Sequence, residues 1–84
     1  SHDSFDLSRL AEELARLRAV MKNETQGNAE QDEAVGEIAK AEKAASLGDN
    51  RTALRHLKTA GTWTLGVAEK IGVPLVVEAM KRML

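Results

Sequence analysis

The stretch LKTAGTWTLGVAEKIGV, residues 57–73, decides the fold because it combines helical spacing with residues that oppose a helix. It holds three glycines, which are poor helix formers, and the chain's single tryptophan, a side chain that often anchors protein interfaces. We predict one helix over about residues 50–71, with Gly72 as its stop and Pro74 at the first position of the next helix. Two of the glycines and the tryptophan then lie inside the predicted helix.

Gly61 lies on the inner face of this predicted third helix. An advance of about 100° per residue places it beside Leu57 and Ala68, within an apolar arc of about 160°. A missing side chain at that position predicts a close crossing by the second helix, which offsets a helix penalty of about 1 kcal/mol.

Trp63 lies at the edge of that arc, and Gly66 lies further toward the polar side. In one interpretation the Trp63 ring lies flat over the base of the first or last helix, with its indole N–H in water. In the other, Trp63 anchors a protein interface and Gly66 leaves a shallow notch beside it. The sequence leaves both interpretations open.

The other predicted helices cover about residues 6–23, 29–47 and 74–84, with short connectors between them. Asp6 is a good N-cap for the first, and Phe5 and Leu10 stand at the two positions of a hydrophobic staple. Apolar residues of the first helix alternate steps of three and four, a seam that packs on a partner helix: Leu7, Leu10, Leu14, Leu17 and Met21. Its charged residues are predicted to face elsewhere: Glu12, Glu13, Arg16 and Arg18.

The second helix begins with Asn28 and Gln31, which we interpret as a variant of the capping box. Glu42 is predicted to be an edge carboxylate that reaches water or pairs with an arginine, rather than a buried functional acid. Gly48 closes this helix and Asp49 or Asn50 caps the next, so the two helices are antiparallel neighbours. The inner face is mostly alanine, which lets another helix approach closely: Ala34, Val35, Ile38, Ala41 and Ala45.

The last helix is apolar over about 200° of its circumference, which is more than a peripheral helix in a small bundle can hide. Either the rest of the domain wraps this face, or part of it meets another chain. We favour the second interpretation, with Val77, Met80 and Leu84 as the exposed patch.

Composition limits the functions that are open to the chain. Its 84 residues form one domain with a small core, and its formal net charge of −1 gives no overall attraction to nucleic acid or anionic lipid. The absence of cysteine fits a reducing cytosol, and no apolar run is long enough to span a membrane. We therefore expect a soluble, cytoplasmic protein with no nucleic-acid partner and no membrane span.

Candidate catalytic groups are few. His56 is the only histidine apart from His2, and the chain has no cysteine or tyrosine, so we expect neither a catalytic triad nor a zinc site. Neighbouring acids such as Glu12 and Glu13 diverge by about 100° on a helix and are expected to be solvated. We expect no enzyme activity, no cofactor and no metal. A basic stripe on the third helix is predicted to be an ordinary solvated face: Arg51, Arg55 and Lys58.

Ser1 and His2 look like the remnant of a cleaved purification tag. We therefore expect residues 3–84 to be a single helical domain that was cut from a larger protein, of which it is the C-terminal module.

The segment GDNRTALRHLKTA, residues 48–60, resembles the loop and second helix of a tetratricopeptide repeat. Ala53, Leu57 and Ala60 have the small, large and small spacing of that family, whereas its first helix would have aromatic and leucine residues at Glu37, Lys40 and Ala44. The resemblance implies a helical hairpin. The stretch from residue 56 to residue 84 is similar to a helical C-terminal tail of many uncharacterised bacterial proteins, which implies a bacterial source and a terminal accessory domain.

Together these features predict an all-α fold, a compact antiparallel four-helix domain. We expect a non-catalytic protein–protein interaction or self-association module, with a dimer favoured, because an excess apolar face without catalytic groups fits assembly. The predicted partner-binding residues are Trp63, Gly66, Val77, Met80 and Leu84. The alternative function is a helical bundle that binds a small molecule or lipid tail between Met21, Met80 and Met83.

Overall fold

The computed structural model describes residues 6–83, which form five α-helices and no strand. The all-helical class is therefore confirmed for this range. The predicted count of four helices is wrong, because the third predicted helix is two helices that meet at Gly61. The helices are α1 (Leu7–Glu24), α2 (Ala29–Ser46), α3 (Asn50–Ala60), α4 (Thr62–Ile71) and α5 (Pro74–Met83).

Gly61 breaks the helix because its backbone has φ 89° and ψ −176°. An α-helix needs φ near −63°, and the region that Gly61 occupies is accessible almost only to glycine. No heavy atom lies within 4 Å of the position that a Cβ would take. The predicted close helix crossing at Gly61 is therefore wrong, and the glycine serves the backbone conformation instead.

Local capping signals are confirmed at three helix starts. Asp6 accepts a hydrogen bond from the backbone N–H of Arg9 at 3.1 Å, and Asp49 accepts one from the N–H of Thr52 at 3.1 Å. Asn28 accepts from the N–H of Gln31 at 2.8 Å. These bonds satisfy N–H groups that a helix N-terminus leaves free.

The reciprocal half of the predicted capping box is wrong. The Gln31 side chain accepts from the backbone N–H of Gln26 at 2.8 Å, and so fixes the connector rather than the start of α2. Gly48 and Gly72 end α2 and α4 as predicted, with φ values of 79° and 75°. The predicted staple includes Phe5, which lies outside the described residues.

The core follows the predicted seam of α1 and the alanine face of α2. All of the predicted seam except Leu7 is fully buried, and Val35 is the one half-buried residue of the predicted α2 face. Helix α2 packs between α1 and α3, while α4 and α5 contact each other and α1. The two predicted faces are therefore confirmed as the centre of the domain.

Glu13 is an exception to the solvated role predicted for the charged residues of α1. Its side chain is 5% exposed, and its Oε1 accepts a hydrogen bond from the backbone N–H of Val76 at 2.9 Å. Val76 is in the first turn of α5. The residue before this helix is the apolar Val73, whose side chain cannot cap the helix N-terminus. The Glu13 carboxylate supplies this cap from α1 and joins the two helices.

Helix α5 is wrapped by the domain more completely than predicted. Met80 is 0% exposed and belongs to the core, so its predicted place in an exposed patch is wrong. The reason is that α5 contacts α1, α3 and α4 together, rather than lying at the periphery. Val77 is half-buried, and Leu84 lies outside the described residues.

The Glu13 cap predicts a difference between two adjacent glutamates. Glu13→Ala should lower the free energy of unfolding by about 2 kcal/mol, because the Val76 N–H stays buried without its acceptor. Glu12 is exposed, so Glu12→Ala should change the same quantity by less than about 0.5 kcal/mol. Urea unfolding followed by circular dichroism measures both, and equal losses would contradict the cap.

The break at Gly61 predicts opposite effects for two alanine substitutions. Gly61→Ala should destabilise by about 1–3 kcal/mol because of backbone strain alone. Gly66→Ala should stabilise by about 0.5–1 kcal/mol, since Gly66 is helical and a Cβ there meets no atom within 4 Å. Thermal unfolding of the pair checks the prediction, and stabilisation by both would indicate a continuous helix.

The Asp49 cap predicts a dependence of stability on pH. Hydrogen bonds from the side chain and then the backbone of Thr52 lower the pKa of Asp49. The resulting stabilisation is complete above the unfolded pKa of about 3.9 and is lost as pH falls through the folded pKa. Asp49→Asn keeps a capping oxygen that does not titrate, so the wild-type advantage over this variant should shrink in acid. Urea unfolding at a series of pH values measures it, and a constant difference would refute the assignment.

Candidate protein-interaction surface

Trp63 lies in the first turn of α4, two residues after the break at Gly61. It is half-buried, with part of its side chain packed against the core and part accessible. Two surface depressions, of about 160 and 230 Å³, are both lined by Trp63. The ring therefore stands between two concave surfaces.

The depression of about 230 Å³ brings Trp63 and Gly66 together. Gly66 is exposed, and its missing side chain leaves open space. Lys70 of α4 and Glu24 at the end of α1 also line it, with 2.9 Å between Nζ and Oε2. The ion pair forms one rim of the depression and links α4 to α1.

A larger cleft of about 650 Å³ lies between α2 and the end of α3. We call it the α2–α3 cleft. Ala34 and Ala60, both buried, line this cleft and also the depression of about 160 Å³ that Trp63 lines. Gly61 lines both as well, so the break in the helix lies where the cleft meets the Trp63 depression.

The α2 side of the cleft carries most of its charge. Glu37 contacts His56 of α3, with 2.7 Å between Oε1 and Nδ1, and Lys40 lies 3.8 Å from the other Glu37 oxygen. Glu30 and Glu33 also line the cleft and form no ion pair within residues 6–83. Their uncompensated carboxylates leave the end of the cleft nearer Trp63 acidic.

Only some of the predicted partner-binding residues thus lie together on one surface. Trp63 and Gly66 share one depression, whereas Val77 lines neither the two depressions nor the cleft. Met80 is in the core. The cleft was missed from the sequence because residues of two antiparallel helices line it together, which no single helical pattern records.

Leu47 is a second feature that sequence reasoning missed. Its side chain is 76% exposed at the end of α2, beside a depression of about 350 Å³ that Arg18 and Glu42 also line. Arg18 pairs with Glu42, with 2.6 Å between Nε and Oε1, which confirms the predicted arginine partner of Glu42. The hydrogen bond and charge of Glu42 raise the pKa of Arg18. The only sequence signal for Leu47 is a large apolar residue directly before the terminating Gly48.

Metal-ligand groupings and carboxylate pairs were sought among the described residues. Within residues 6–83, no three His, Cys, Asp or Glu side chains are grouped so as to hold a metal ion. Glu12 and Glu13 do not form a carboxylate pair, since one is exposed and the other caps α5. No helix of this range is long and apolar enough to cross a membrane.

Comparison with known proteins gives no match from which a function could be assigned. No family model matches the chain, and no curated protein or solved structure matches it either. The resemblances to a tetratricopeptide hairpin and to bacterial C-terminal tails therefore stay predictions.

Proposed function

We propose that the chain is a non-catalytic protein–protein interaction module of a larger bacterial protein. The observation that carries the proposal is the half-buried Trp63 between two depressions. Tryptophan is enriched among residues that dominate binding energy, above all where a concave, partly desolvated setting holds the ring. The domain holds Trp63 in such a setting through a helix break that only glycine adopts readily.

The shape around Trp63 supports a helix or loop as the bound element. Gly66 keeps one side of the ring open, and the Glu24 and Lys70 pair gives that side a polar rim. A small apolar centre with a charged border is the usual anatomy of a protein interface. The proposed partner thus inserts an apolar side chain beside Trp63 and contacts the rim with polar groups.

Fewer residues of α5 remain as binding candidates than the sequence predicts. Met80 is removed from it by burial, which leaves Val77 and Leu84 as α5 candidates. A homodimer remains the favoured assembly. Binding of a small molecule between Met21, Met80 and Met83 is the weaker alternative, because Met21 and Met80 are fully buried and no methionine lines the clefts described above.

The proposal predicts that Trp63→Ala weakens association by about 2 kcal/mol or more. Sedimentation equilibrium over a range of protein concentrations measures self-association. Leu47→Ala is the comparison, since it removes the exposed apolar side chain at the other end of α2 and should weaken association less than Trp63→Ala does. Loss of association with Leu47→Ala and not with Trp63→Ala would move the interface to the end of α2.

A foreign partner is tested by photo-crosslinking in the cells that produce the full-length protein. A photoreactive side chain at position 66 should give a covalent adduct, whereas the same group at position 47 should not. A protein that is monomeric in sedimentation and gives no adduct from position 66 would contradict the proposed function.

A further inference from the structure

The outer face of the α2 and α3 pair has an acidic end and a basic end. Helices α2 and α3 are antiparallel across the turn at Gly48, so the start of α2 lies beside the end of α3. The acidic end, near Gly61, contains Glu30, Asp32 and Glu33. The basic end, near Gly48, contains Lys40, Lys43, Arg51 and Arg55. All seven residues are exposed.

Most of these charges form no close ion pair, although Arg51 and Arg55 attract the Asp49 carboxylate. Glu30, Glu33 and Lys43 form no ion pair within residues 6–83, and neither do Arg51 and Arg55. Asp32 accepts a hydrogen bond from the Thr25 hydroxyl, and Lys40 lies near Glu37. Each end also holds one opposite charge, Lys58 at the acidic end and Asp49 at the basic end, which leaves the sign of each end unchanged.

The middle of this face admits close approach. Gly36 is exposed between the two ends, with no atom within 4 Å of a Cβ placed there. It also lines the α2–α3 cleft of about 650 Å³. At about 1.5 Å per residue, Glu33 and Lys43 are separated by about 15 Å along α2, so the two charged ends are distinct.

We infer that this face binds the same face of a second copy of the chain about a two-fold axis. The two-fold axis lies in the interface, crosses the middle of the face and runs perpendicular to the helices. Rotation by a half-turn about it exchanges the two ends, so the acidic end of each copy meets the basic end of the other. Such self-complementarity is what an isologous dimer requires. The partner at this face is thus a second copy. The inference rests on the proposed function, which it deepens by naming the partner, because Gly61 joins the α2–α3 cleft of this face to the Trp63 depression.

The contact between the two copies is limited in strength because its charged side chains are exposed to solvent. Ion pairs between exposed side chains contribute modestly and are screened by salt. The dimer is therefore weak, and it dissociates as ionic strength rises. Helix α2 also gains from acids in its first turn and a base in its last, so the charges have an internal role that the experiment must separate from dimer formation.

Charge reversal at either end provides the test. Glu30→Lys with Glu33→Lys makes both ends basic, and Lys43→Glu with Arg51→Glu makes both ends acidic. Sedimentation equilibrium at low salt should show a wild-type dimer and at least about a tenfold higher dissociation constant for each variant alone. An equimolar mixture of the two variants should restore association as a heterodimer, because both ends are then complementary.

The matched control for Glu30→Lys with Glu33→Lys is Glu12→Lys with Glu78→Lys, which makes the same change of net charge on α1 and α5 and should leave the dimer intact. Circular dichroism confirms that each variant is helical before association is compared. Rescue in the mixture cannot come from helix-dipole effects, since those act within each chain.

Three results would overturn the inference. A wild-type chain that is monomeric at millimolar concentration in low salt has no second copy in the cleft. A dimer that both reversal variants leave unchanged forms through another surface, and two monomeric variants that do not associate when mixed lack the proposed pairing. The proposed function fails on a different result, the absence of both a Trp63-dependent complex and an adduct from position 66.

Discussion

The backbone conformation of Gly61 is the constraint on which the rest of the structure depends. A positive φ with an extended ψ ends α3 and starts α4 in a new direction, and glycine is the residue that adopts it without strain. Helix α3 can then follow α2, while α4 turns to pack on α1 and α5. Because Trp63 comes two residues later, the same break places the ring between two depressions and forms the end of the α2–α3 cleft.

The Glu13 carboxylate closes the domain at its other end. Its hydrogen bond to the Val76 N–H joins residues 63 positions apart and replaces a cap that the local sequence around Val73 does not supply. With α5 held against α1, Met80 is directed into the core rather than toward a partner. The proposed binding surface consequently lies away from most of α5 and toward the Gly61 end of the domain.

Features set by near neighbours in the chain could be predicted from the sequence. The caps of Asp6, Asn28 and Asp49 use hydrogen bonds across three residues, and the α1 seam follows from helical spacing. The break at Gly61 could not be predicted, because the apolar arc continues through it and an isolated glycine is also tolerated within a helix. Glu13 has no local signal at all, since its partner is distant in sequence.

The candidate site, like the fold, could be predicted from the sequence only in part. Helical geometry indicates that Trp63 and Gly66 share an edge, because three residues return to nearly the same side of a helix. It does not show the cleft, which is lined by both α2 and the end of α3, or the burial of Met80, which depends on three neighbouring helices. Sequence patterns thus place Trp63 at a helix edge, whereas only the packed structure shows which surfaces adjoin it.

Nuclear Overhauser contacts across Gly61 test the central claim most directly. In a continuous helix, the Hα of each residue lies close to the amide proton three residues later. The series of these contacts should be interrupted between about residues 59 and 63 and regular within α3 and α4 on either side. An unbroken series through Gly61 would contradict the account, because α3 and α4 would then be one helix, and neither the Trp63 setting nor the end of the cleft would exist as described.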